Sequence, residues 1–95
     1  MKRVVITGLG TINPLGHNVE DTWQRLLSGV CGIDKITRYD TTNRKVTVAA
    51  EVKDYFEENY FSKKEAKHLD RFLQFANIAA KEALKDSGYQ GLQNP

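Results

Sequence analysis

The stretch Val4-Val5-Ile6-Thr7-Gly8-Leu9-Gly10-Thr11-Ile12-Asn13-Pro14-Leu15-Gly16 runs an apolar segment into closely spaced glycines. A dinucleotide site opens in this way, but it requires Gly-x-Gly-x-x-Gly, with the third glycine packing a helix whose N-terminus faces the pyrophosphate. Asn13 holds that third position here. Pro14 pushes Asn13 out of the helical region and Gly16 interrupts the run again, so no helix begins where a phosphate needs one. The acidic residue expected roughly 20 residues further on is also hard to find, because Asp34 falls in a stretch that reads as a loop. The segment is therefore read as a strand that leads into a bend at a sheet edge.

Working outward, the elements follow from local chemistry. Val4 to Ile6 are apolar without alternation, the pattern of a strand buried on both faces of a parallel sheet. Asn18 is suited to cap a helix that carries Glu20 and Asp21 near its positive end, and Gly29 suits the left-handed turn that closes it. The inward face of this helix reads Val19, Trp23, Leu26, Leu27 and Val30. Lys45 to Lys53 alternate, with Val46, Val48, Ala50 and Val52 on one side, which predicts a half-exposed strand. Ser62-Lys63-Lys64-Glu65 is a capping box that starts a short helix. Asp70 is placed to cap a second helix, whose apolar side holds Phe72, Phe75, Ala76, Ala79, Ala80, Ala83 and Leu84 before Gly88 ends it. That side predicts core packing, with the alanines allowing close approach to a sheet. Gln90 to Pro95 trail off. The order describes an α/β chain whose parallel sheet is incomplete.

Composition narrows the function classes. With 95 residues, 40% of them hydrophobic and 27% charged, the chain has the size of one small domain. A net charge of +2 argues for neither nucleic acid nor membrane. Lys2 and Arg3 precede an apolar stretch, but Thr7, Gly8 and Gly10 break it before it reaches the length of a secretory signal, and no stretch spans a bilayer. Cys31 is the single cysteine and cannot form an internal disulfide, which suits a reducing cytoplasm.

Few side chains carry chemistry. Cys31 follows a helix exit, where the negative end of the dipole disfavours a thiolate. His17 reads as a solvated turn residue, and neither it nor His68 has a second ligand at metal spacing. The adjacent Glu57 and Glu58 are expected to point apart in a solvated loop. Lys63, Lys64, Lys67, His68 and Arg71 recur at spacings of three and four, which on a continuing helix gathers them into a positive stripe. From the pattern alone, such a stripe reads first as an ordinary wet helix face.

More motifs lie in register with the opening. Leu26-Leu27-Ser28-Gly29 with Gly32-Ile33, Tyr39-Asp40-Thr41, Val52-Lys53-Asp54-Tyr55, Ser62-Lys63-Lys64-Glu65, Leu69-Asp70-Arg71-Phe72 and Ala83-Leu84-Lys85-Asp86-Ser87-Gly88 follow in order. With the Thr-Gly-x-Gly loop, Pro-x-Gly and the early Trp23, the chain resembles the beta-ketoacyl-[acyl-carrier-protein] synthases, most closely the type II elongating branch. Asn13 departs from the Ser or Thr usual in that family, yet all three residues hold turns.

The resemblance implies an N-terminal portion of a thiolase-like fold. Residues 1–95 are expected to form the N-terminal part of the ketosynthase N-terminal domain, with no complete second domain. It implies a fatty-acid-elongating 3-oxoacyl synthase, which joins an acyl group to malonyl carrier by decarboxylating Claisen condensation. The family's catalytic Cys and His come from later segments, so Cys31, His17 and His68 are not carried over as catalytic, and no cofactor or metal is expected. The phosphopantetheine arm belongs to the carrier. Implied partners are acyl carrier protein and a second subunit in a homodimer. The carrier-binding residues are Lys64, Lys67 and, in place of a Lys, His68, with Lys63 beside them. The alternative is a non-catalytic truncated remnant that binds acyl carrier protein or an intact synthase.

Overall fold

Glycine matters most where two backbones must touch, and the opening bend is such a place. The computed structural model describes residues 2–89. Its elements are α1 (Val19–Leu27), β1 (Ile33–Lys35), β2 (Val48–Ala50), a 3-10 turn at Glu57–Asn59, α2 (Lys63–His68) and α3 (Arg71–Ser87). Residues 8–11 lie directly on α3. A Cβ on Gly8 would stand 2.7 Å from Ser87 N, and one on Gly10 would stand 2.7 Å from Ala83 N, with the carbonyls of Ala83 and Ala79 closer still. No side chain fits in that gap.

Carboxylates on α3 hold the same segment. The backbone N–H of Leu9 donates to Asp86 Oδ2 at 3.0 Å, and that of Thr11 donates to Glu82 Oε1 at 2.9 Å. The other Glu82 oxygen accepts from Val19 N at 2.9 Å, which satisfies a donor that the first turn of α1 leaves without an intrahelical partner. Glu82 thus joins the opening loop, the start of α1 and α3 through one side chain.

Asn13 organises the bend between them. Its Oδ1 accepts from Leu15 N at 2.8 Å and from Gly16 N at 3.2 Å, while its Nδ2 donates to Thr11 Oγ1 at 3.0 Å and Thr22 Oγ1 at 2.9 Å. The bridge Asn13 to Gly16 completes a tight turn. Asn18 then caps α1 as expected, accepting from Asp21 N at 2.8 Å. At the far end Gly29 takes φ 76°, with Gly29 N donating to Leu26 O and Val30 N to Arg25 O, the paired bonds of a Schellman motif.

The sheet differs from expectation. Val4 to Ile6 form no strand, and Val4 is 95% exposed, because among the described residues no strand lies beside them to complete a ladder. The predicted strand from Lys45 to Lys53 is confined to Val48–Ala50. Its antiparallel partner Ile33–Lys35 contains Asp34, which the sequence reading placed in a loop, and the register is Ile33 to Ala50, Asp34 to Ala49 and Lys35 to Val48. Short strands between charged and polar neighbours carry too few residues to show a clear period.

The helix faces are also corrected. On α1 only Val19 among the predicted inward residues is half-buried, and Trp23, Leu26, Leu27 and Val30 are exposed. On α3 the buried residues are Gln74 and Ile78, with Phe75, Ala79 and Ala83 half-buried, while Phe72 and Leu84 are exposed. The face that packs carries Ala79 and Ala83 toward the opening loop and Gln74 toward the 3-10 turn. Asp70 occupies the N-cap position with extended backbone, but its side chain makes no capping bond. Gly88 ends α3 at φ 71°, as expected. Gln90 to Pro95, which read as a trailing end, lie outside the described residues.

Gly10→Ala drives a methyl group into the α3 backbone, so it is expected to destabilise the chain by about 1–3 kcal/mol. A thermal melt checks this, and an unchanged midpoint would place the loop away from α3. Glu82→Gln puts an amide donor where two backbone donors need acceptors. Amide exchange measured by NMR is expected to accelerate at Thr11 and Val19 together, the joint response expected of a single bridging group.

Candidate functional site

A short basic helix presents a surface only if its other side is anchored. In α2, Ser62 Oγ accepts from Glu65 N at 3.2 Å while Glu65 Oε1 accepts from Ser62 N at 3.1 Å, which realises the predicted capping box. Phe61, just before it, is 6% exposed and Ala66 is half-buried. Lys63, Lys64, Lys67 and His68 are all exposed on this helix of 6 residues. Lys67 and His68 also sit in its last turn, where positive charge is favoured by the helix dipole.

The stripe does not continue on one helix. Leu69 (φ −118°, ψ 119°) and Asp70 (φ −64°, ψ 159°) are extended and separate α2 from α3. Gln74, 3% exposed, stabilises the break by donating from Nε2 to Leu69 O at 3.1 Å and to Glu57 Oε2 at 2.9 Å, while its Oε1 accepts from Tyr55 OH. This buried amide joins the 3-10 turn, the break and α3. Glu57 thus has a partner in Gln74, while Glu57 and Glu58 are both exposed and lie on the 3-10 turn rather than in a loop.

Arg71 turns inward from the stripe. Its guanidinium carbon lies 5.0 Å from the Tyr55 ring centre and 4.9 Å from that of Phe75, and the two rings meet edge to face at 4.9 Å. Burial, and then the neighbouring charge of Arg38, hold the Arg71 guanidinium below its ordinary value. Burial and the charge of Glu57 push the Tyr55 phenol above its own. Arg38, Lys67 and Arg71 line one open groove with Glu57, Glu58 and Asp70.

The other candidates lie apart from this surface. His17 is held between elements: its Nε2 is 2.5 Å from Lys53 O and its Nδ1 3.1 Å from Tyr60 OH. A carbonyl only accepts, so Nε2 carries a proton and donates to it. This corrects the reading of His17 as a solvated turn residue. Cys31 is exposed and free. Among the described residues no group of His, Cys, Asp and Glu is arranged to hold a metal ion, and no helix is long and apolar enough to cross a membrane. Gly8 and Gly10 of the opening face α3, and Gly16 faces Thr22 of α1, so none lines an open cradle.

Sequence reasoning missed Glu82, Asp86, Tyr55 and Gln74. The spacing of Glu82 and Asp86 one helical turn apart, on the side that also carries Ala79 and Ala83, was a usable signal. Nothing in the pattern marks a lone Gln as a hub.

This arrangement has a solved counterpart. A structure described as the ishigamide ketosynthase/chain length factor superposes with a TM-score of 0.81 at 33% identity, covering 95% of this chain and 22% of that one. The fold is accordingly the N-terminal part of a thiolase-like ketosynthase, an α/β arrangement with an incomplete sheet. The profile described as beta-ketoacyl synthase, N-terminal domain, matches residues 1–94, and the chain belongs to that family. The 3-oxoacyl-[acyl-carrier-protein] synthase 2 of Staphylococcus aureus (strain COL) is 52% identical over 86 residues, 90% of this chain. The protein of the same name from Synechocystis sp. (strain ATCC 27184 / PCC 6803 / Kazusa) is 44% identical over 86 residues. The chain spans 21% of the length of each of these relatives.

The capping box makes α2 sensitive to acid. Hydrogen bonds from the Ser62 backbone and then its side chain hold the Glu65 carboxyl below its ordinary 4.5, so the folded state prefers the ionised form. That contribution is present above the ordinary value and is lost as pH falls below 4.5 through the lowered one. Exchange of the Ser62 amide is expected to rise over this window, and in Glu65→Gln, which keeps an acceptor without the charge, the acid-dependent step should be gone.

Proposed function

We propose that this chain is the opening part of the N-terminal domain of a fatty-acid-elongating 3-oxoacyl synthase, and that α2 receives the acyl carrier protein. Lys63, Lys64, Lys67 and His68 are the contact residues. The observation that carries the reading is their common exposure on α2 while Phe61 and Ala66 anchor its inner side. Identity of 52% with a protein named for the carrier supports the choice of partner. No residue of this stretch is assigned to bond making, and the phosphopantetheine arm arrives with the carrier. Residues 1–95 contribute no complete second domain, and the whole enzyme works in the cytoplasm as a homodimer.

The chemistry fits an acidic partner. An exposed ion pair contributes about 0.2 to 1 kcal/mol, so docking depends on several pairs acting together and on long-range attraction before contact. A short helix with cations on adjacent turns matches a helix that carries carboxylates at similar spacing. The whole enzyme then adds two carbons to the acyl group while the malonyl unit loses carbon dioxide, and α2 governs how often a loaded carrier arrives.

In the full polypeptide, Lys64→Glu with Lys67→Glu should slow carrier-dependent condensation by about tenfold at low salt and leave reaction with a carrier-free acyl thioester unchanged. The difference should shrink as ionic strength rises. Equal loss on both substrates would remove α2 from docking.

A further inference from the structure

We propose that the carrier surface extends past α2 into the groove at the α2–α3 junction, where Arg71 and Arg38 form a second seat for partner carboxylates. This inference rests on the reading that α2 docks the carrier.

The seat is recognisable because, among the described residues, neither guanidinium donates a hydrogen bond to a carboxylate. Glu51 and Glu57 influence the Arg71 charge, yet both carboxylates already accept from neutral donors. Glu51 Oε1 accepts from Thr37 N at 3.1 Å and from Thr37 Oγ1 at 2.9 Å, and Glu57 accepts from Gln74. Among the described residues the Arg71 guanidinium is placed against the rings of Tyr55 and Phe75, and the structure assigns it no hydrogen-bond acceptor. Arg38, exposed, lies close enough for its charge to disfavour that of Arg71 and to favour that of Glu51. Two guanidinium groups with open donors gain most from a carboxylate brought by another molecule.

Preorganisation favours this use. Ring faces on Tyr55 and Phe75 restrain Arg71 before anything binds, so less side-chain freedom is lost on contact. Lys67 lines the same groove and belongs to α2, which makes the seat continuous with the first contact surface. Glu58 and Asp70 stand on the same groove and repel an acidic helix that is displaced along it, which sets the register of docking.

The test uses the full polypeptide and measures carrier affinity beside the melting midpoint. Arg71→Gln and, separately, Arg38→Gln should each weaken binding about fivefold, with Arg71→Lys recovering only part of the loss and the carrier-free reaction unchanged. Arg38→Gln keeps the test informative if Arg71→Gln lowers the midpoint, because Arg38 is exposed. If Lys64→Glu with Lys67→Glu abolishes binding while both arginine variants bind normally, the second seat is overturned and α2 docking stands. If none of the variants changes affinity, both fall. Carrier lacking its phosphopantetheine arm should show the same arginine dependence, since the seat reads carboxylates. Loss of that dependence without the arm would make the arm's phosphate the ligand and overturn the inference.

Discussion

The contact on which the rest depends is the seating of the opening loop on the α3 backbone. Gly8 and Gly10 touch a face made of Ala79, Ala83 and Ser87, and Glu82 and Asp86 on the same helix accept the backbone donors that this approach would otherwise strip of water. Close packing without those acceptors would bury unpaired amides. The acceptors without the glycines would be held too far away. Size and polarity are satisfied at the same residues, and α1 is fixed by the remaining Glu82 oxygen.

A second organising point lies at Gln74, which is nearly inaccessible yet polar. Its amide can serve a phenol, a carboxylate and a carbonyl at once, so it interrupts what would otherwise be one basic helix from Lys63 onward. The interruption separates labour. α2 carries exposed lysines, whereas Arg71 is restrained by aromatic faces one step further along the chain. Charge of the same sign is presented in two physical forms, one suited to attraction at a distance and one to directed hydrogen bonding.

Local signals were the most legible. Asn18, Gly29, the Ser62 and Glu65 box and Gly88 all act at the helix ends where residue chemistry placed them, because capping involves neighbours only a few positions apart. The rejection of a phosphate cradle also followed from Pro14 and Gly16. Packing faces were less legible. The apolar pattern of Trp23, Leu26, Phe72 and Leu84 marks surfaces able to pack, but periodicity cannot say which neighbour covers them, and all four stay exposed. Val4 to Ile6 read as a strand for the same reason: composition reports a preference, while a strand exists only with a partner. At the candidate site the exposed lysines were legible from spacing, but the inward turn of Arg71 was not, since it depends on Tyr55 sixteen positions earlier.

Glu82 has a bearing on when order can arise as the chain is made. Its bonds reach back over 71 residues to Thr11 and 63 to Val19, and Asp86 reaches back 77 to Leu9. At a synthesis rate of roughly 5–20 residues per second, the opening loop waits on the order of ten seconds before its acceptors exist, and longer before they leave the ribosome. During that interval Val4 to Ile6 emerge as an apolar segment with nothing to lie against. The opening segment is thus among the last parts of this stretch to settle.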